Sequence, residues 1–168
     1  SQSNILSPFY HLEEDGKKNI YISIGRGILF RHIAKSNISQ QALDEIYKNA
    51  NFEYSFLPNL NVDTINICNA IMGKSWFNGS IFKNTTISEV DFNGSSFDGI
   101  TLDRCIVKDS TTFNQCSFKH VNFTNTIFEE KTQFFDANFI NADLLGSTFK
   151  NIQCCDGNLI YNSCRLKD

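Results

Sequence analysis

Residues 113–128 read FNQCSFKHVNFTNTIF, with Phe113, Phe118, Phe123 and Phe128 five residues apart. Neither a helix, which repeats at 3.6 residues, nor a strand, which repeats at 2, accounts for a strict step of five. Working backwards, the register slips by one residue and then continues through Val107, Leu102, Phe97, Phe92, Ile87, Phe82, Phe77, Met72, Ile67, Val62, Leu57 and Phe52. Working forwards, a second one-residue slip leads to Phe134, Phe139, Leu144, Phe149, Cys154 and Leu159, with Cys164 as the last step. All of these centres are apolar, and they hold twelve of the sixteen phenylalanines, so the period sets the core.

The residue two before each centre carries a second signal. Ser55, Ala70, Ser75, Ser80, Thr85, Val90, Ser95, Cys105, Thr111, Cys116, Val121, Thr126, Thr132, Ala137, Ala142 and Ser147 are small, with Leu60, Ile65, Ile100 and Ile152 among the exceptions. Alternating large and small side chains fill a narrow tube at native packing density. Gly or Asn follows many centres by two residues, as a chain that bends every five residues requires.

The triplets Ala50-Asn51-Phe52, Ala137-Asn138-Phe139 and Ala142-Asp143-Leu144 resemble the consensus of the pentapeptide-repeat family. The resemblance implies a mainly β fold, a right-handed quadrilateral parallel β-helix with four pentapeptides per coil, here five to six coils over residues 50–168. At a strand spacing of about 4.8 Å the rod is roughly 25–28 Å long. Both register slips then fall at the corner between the fourth and first sides. Their sequences rhyme (Asp109-Ser110-Thr111-Thr112-Phe113 and Glu130-Lys131-Thr132-Gln133-Phe134), which predicts stacked single-residue bulges.

Residues 1–49 are expected to form a small α+β cap over the first coil, because a solenoid end exposes core and unpaired strand edges. Within it, residues 19–24 (NIYISI) and 27–33 (GILFRHI) read as a short hairpin around Gly25-Arg26. Residues 39–48 read as a helix with Ser39 as N-cap and Ala42, Leu43, Ile46 and Tyr47 as its apolar stripe. Met72 is the only methionine, and the chain opens Ser1-Gln2-Ser3, which suggests a processed protein or a fragment.

Several function classes find no support. The net charge is −3, with nine Lys/Arg against thirteen Asp/Glu over residues 52–168, so no basic stripe offers itself to nucleic acid. No apolar run reaches the roughly 18 residues of a transmembrane helix. The six cysteines include no C-x-x-C pair, and Cys105 and Cys116 fall in small-residue slots, so reduced thiols are expected and no metal site. His11, His32 and His120 are scattered, Gly25-Arg26-Gly27 is only a fragment of a phosphate loop, and Glu13-Glu14-Asp15 reads as a polar loop. No catalytic, cofactor-binding or metal-ligating residue is assigned.

A binding role is expected. Trp76, Ile71 and Ile81 should point outward, and Ile106 and Ile127 should lie one coil apart on the fourth side. Phe135, Ile140, Leu145 and Ile160 each follow a centre, making the last coils greasy on the outside. That end is expected to meet a further domain or a second copy. The family resemblance extends to the N-terminal β-helix modules of secreted bacterial (type III) effectors, including HECT-like ubiquitin-ligase effectors. It implies a non-catalytic protein-interaction module that engages host proteins in the host-cell cytoplasm. Two alternatives stay open: a DNA-mimicking gyrase binder, and a scaffold protein in the bacterial cytoplasm.

Overall fold

The computed structural model describes residues 16–154 and 160–162. Two helices, α1 (Gly16–Lys35) and α2 (Gln40–Asn49), precede a stack of three-residue strands and single bridges, every pairing of which is parallel. The first face is a column of bridges through Asn51, Ile71, Asp91, Thr112, Gln133 and Gln153. The second runs through Phe56, Trp76 and Ser96 into β7 (Ser117–Lys119), β10 (Asn138–Ile140) and β12 (Ile160–Asn162). The third is β1 (Asn61–Asp63), β3 (Ile81–Lys83), β5 (Thr101–Asp103) and β8 (Asn122–Thr124). The fourth, the widest sheet, is β2 (Asn66–Cys68), β4 (Thr86–Ser88), β6 (Ile106–Lys108), β9 (Thr126–Phe128) and β11 (Ser147–Phe149).

The five-residue step explains this architecture. Each centre is buried from Phe52 to Leu144, and its two neighbours along the chain face outward or lie half-buried, with Gly73 the buried exception. Two residues after a centre the backbone turns with positive φ, at Asn69, Gly79, Asn84, Gly94 and Gly99 as expected, and also at Asn59. Thr64, Lys74, Glu89, Arg104 and His120 take the same conformation. Side chains other than Gly and Asn adopt it at a cost of roughly 1 kcal/mol, so the stacked coils over-determine these corners.

Centres of successive coils stack. Ring centroids of Phe77–Phe97, Phe97–Phe118 and Phe118–Phe139 lie 4.9, 5.2 and 4.6 Å apart on the second side, with planes within 6° of parallel. Phe92, Phe113 and Phe134 form the same kind of column on the first side and meet the second edge-on. The small slots are buried and carry a polar thread beside this apolar one. Ser75 Oγ accepts from the Ser55 amide at 2.9 Å, Ser95 Oγ from Ser75 at 3.0 Å, and Ser80 Oγ from Leu60 at 3.0 Å. A hydroxyl there satisfies a corner amide that would otherwise be buried unpaired. Cys105 and Cys116 occupy equivalent slots and donate from Sγ to the Phe82 and Phe92 carbonyls, both at 3.2 Å.

Both register slips are single extra residues at one corner. Asp109 and Ser110 both have positive φ, as do Glu130 and Lys131 one coil on, where other described corners have at most one such residue. The bulges stack: the Ser110 amide donates to the Glu130 carbonyl at 2.9 Å, and Lys131 to Asn151 at 2.9 Å.

Two expectations need correction. Residues 19–24 and 27–33 are not paired strands but parts of the single helix α1. Its buried residues Ser23, Gly27, Phe30 and Ile33 have helical spacing, but Tyr21, Ile22, Ile28 and Leu29 on its other side blur that stripe into apparent strand runs. The last coil also departs from a strict step, since Phe139 pairs with Tyr161 and not with Leu159. The intervening residues 155–159, and the proposed centre Cys164, lie outside the described residues.

The helices close the first coil chemically as well as sterically. Phe30 and Tyr47 pack on Phe52, with centroids 5.3 and 6.3 Å from its ring. Gly27 lies so close to the first coil that a Cβ there would collide with the Phe56 carbonyl oxygen. The unpaired edge then finds partners: the Phe56 amide donates to Ser23 O at 3.0 Å, Arg26 Nη1 donates to Glu53 O at 2.6 Å, and Arg31 donates to Pro58 O. On the fourth side the Gln40 amide both donates to Asn66 O and accepts from Asn66 N. Ser39 caps α2 by accepting from the Ala42 amide at 3.2 Å.

Candidate interaction surface

The fourth face is a flat parallel sheet, and its outward column reads Asn66, Thr86, Ile106, Ile127 and Thr148. Ile106 and Ile127 are direct partners across β6 and β9. Ile106 is exposed and Ile127 half-buried. The parallel column two residues on, just past each centre, carries Cys68, Ser88, Lys108, Glu129 and Lys150. An aliphatic pair therefore sits mid-sheet, bracketed by threonines and bordered by charge, the arrangement of a small apolar centre with a polar rim.

The other sequence-derived residues are more dispersed. Trp76 is half-buried between Phe56 and Ser96 on the second face, at one end of a shallow groove of about 270 Å³ that Ser96, Asp98, Gln115 and Ser117 also line. Ile81 is half-buried between Asn61 and Thr101 on the third face, and Ile71 is exposed on the first. Phe135, Ile140 and Leu145 follow centres on the first, second and third faces, so they ring the rod and form no single patch. Ile160 pairs with Asn138 in the second-face sheet.

Two surfaces escape the five-residue pattern. One is the outer side of α1, where Tyr21, Ile22, Ile28 and Leu29 are exposed. The other is the bulged corner, an open hollow of about 380 Å³ lined by Glu89, Asp109, Ser110, Glu130, Lys131 and Asn151. There Asp109 and Glu130 share a hydrogen bond, which holds the Asp109 carboxyl below its ordinary range and Glu130 above it. The rhyme between the two bulge sequences placed this corner, but nothing in the sequence singled out the hollow beside it.

Burial pushes the Cys105 and Cys116 thiols up, and burial with Asp44 alongside pushes Cys68 up to about 11. His120 forms a corner with φ of 57° and His32 lies on α1, so they do not converge. Among the described residues no group of three His, Cys, Asp or Glu side chains is placed to hold a metal ion. Among those residues, too, no helix is long and apolar enough to cross a membrane.

No protein-family model matches the chain, and no curated protein matches it. Among solved structures, a trypsin-treated variant of QnrB1, a plasmid-mediated fluoroquinolone resistance protein, matches at 15% identity, covering 68% of this chain and 83% of its own, with a TM-score of 0.28. Full-length QnrB1 matches at 13% identity, covering 78% of this chain and 89% of its own, with a TM-score of 0.21. At these values the superposition is partial, and the solenoid is established by this chain's own ladders.

Proposed function

We propose that this chain is a non-catalytic protein-binding rod whose contact face is the fourth side, centred on Ile106 and Ile127. The observation that carries this reading is the in-register aliphatic pair on the widest flat sheet, rimmed by Thr86, Thr148, Lys108 and Glu129. A rigid sheet loses little entropy on binding, so a small apolar centre can act as an anchor. The sequence resemblance to the front modules of secreted effectors supports a host protein as the partner, with any catalytic lobe elsewhere. Trp76, Ile81, Phe135, Ile140, Leu145 and Ile160 are secondary contact candidates. Gyrase binding by DNA mimicry is disfavoured by the surface charge. Duplex DNA carries a charge about every 1.7 Å of axis, whereas the third face alternates Asp63, Lys83 and Asp103 up the rod.

The test is affinity capture from human-cell and bacterial lysates in parallel, repeated with Ile106→Ser/Ile127→Ser. Host proteins retained by the wild-type rod and lost by the double variant support the reading. Capture of gyrase, or capture indifferent to the substitutions, overturns it.

A further inference from the structure

We propose that two copies of the chain pair through the outer face of α1, antiparallel and crossing at Gly25. This surface lies at the opposite end of the chain from the last coils and is independent of the fourth face. Helix α1 is apolar on both sides. Its inner side, with Phe30 and Ile33, closes the first coil, while Tyr21, Ile22, Ile28 and Leu29 on the outer side are 72%, 40%, 63% and 49% exposed. A helix that is apolar all round is ordinarily buried on every side.

The outer stripe has the symmetry a second copy requires. Its large residues stand three and four positions before Gly25 and three and four positions after it. At 100° per residue they flank Gly25 within about 60° on either side. A two-fold axis through Gly25 therefore brings Tyr21 of one copy against Leu29 of the other, and Ile22 against Ile28. An isologous contact demands this self-complementarity.

Gly25 itself fits the crossing point. A Cβ there would meet nothing within 4 Å, so the glycine is not needed by the fold of its own chain, in contrast to Gly27. Glycine weakens a helix interior by about 1 kcal/mol relative to alanine, and its value here is the close approach of a second backbone. Arg26 and Arg31 turn back onto the first-coil carbonyls of Glu53 and Pro58, while Lys18 and His32 stand seven positions either side of Gly25, at the two ends of the stripe. Covering the stripe on both copies removes on the order of 1,000 Å² from water, the lower bound for a specific interface.

Sedimentation velocity of the full chain over a wide concentration series tests this, alongside Gly25→Leu and Ile28→Lys. The expected result is a monomer–dimer equilibrium for the wild type, weakened at least tenfold in both variants, with the monomer's thermal midpoint not lowered in Gly25→Leu. Gly25→Cys should form a disulfide-linked dimer on mild oxidation, above the wild-type background. A wild-type chain monomeric throughout, or a dimer untouched by both substitutions, overturns the proposal. So does a monomer that instead co-sediments through this stripe with phosphatidylserine/phosphatidylcholine vesicles, which would make a lipid surface the occupant.

Discussion

Phe118 lies at the middle of the second-side column, and Phe118→Ala is the sharpest test of the register. The ring is 1% exposed and is sandwiched between Phe97 and Phe139 at 5.2 and 4.6 Å, with Phe113 and Phe123 meeting it edge-on. Truncating a buried Phe to Ala costs about 3–5 kcal/mol, and the amount depends on how far the site can collapse. Collapse is resisted here. β7 and β10 are joined by hydrogen bonds that fix the coil spacing, so Phe97 and Phe139 cannot close the gap without breaking rungs. The upper end of the range, about 4–5 kcal/mol, is expected. Phe149→Ala supplies the contrast: that ring is only half-buried and stacks on Phe128 from one side, so about half the loss is expected. Equilibrium urea denaturation followed by circular dichroism reads both values. A loss below about 1 kcal/mol for Phe118→Ala, or equal losses at the two sites, would refute the stacked-column reasoning.

Gly27→Ala should lower the thermal midpoint and loosen α1, because its Cβ collides with the Phe56 carbonyl, while Gly25→Ala at high dilution should gain up to about 1 kcal/mol; equal effects would count against the seating of α1. At the bulged corner the signs differ between partners. Glu130 is held above its ordinary value of 4.5, so its contribution is complete below that pH and fades as pH rises through the folded value. Asp109 is held below 3.8, so its contribution is present above that pH and fades as pH falls. Glu130→Gln keeps a donor to Asp109 at every pH, so the wild type should lose stability relative to this variant from pH 4.5 toward neutrality; a flat difference in thermal midpoint would show that the two carboxyls do not share a proton. Cys105 and Cys116 should react with a disulfide-exchange reagent at pH 8 only as fast as the rod unfolds, since burial raises both thiols; rapid labelling in the native state would place them outside the small slots.

The rod was legible because its core repeats and its surface does not have to. Phe77, Phe97, Phe118 and Phe139 could be assigned to one side by counting fives, and the two rhyming bulges could be placed at one corner by the same count. Helix α1 was not legible, because residues 19–24 and 27–33 are β-branched and apolar on both sides, and only the rod end they cover selects the helical arrangement. The fourth-face pair emerged from register alone. The spread of Phe135, Ile140 and Leu145 around one coil shows the limit of that method: neighbours in sequence sit on successive faces, and a patch requires residues a whole coil apart.

The bulged corner behaves like a line defect in a crystal. The first-face spacing is twenty residues from Asn51 to Ile71 and from Ile71 to Asp91, twenty-one to Thr112 and again to Gln133, and twenty once more to Gln153. Inside the defect, long coil rests on long coil, and the amides of Ser110 and Lys131 still find carbonyls in the next coil. Lattice mismatch is confined to the two places where the line begins and ends. Adding a residue to a neighbouring coil at this corner therefore lengthens the line without creating a new end, whereas the same residue added on any other edge would create two.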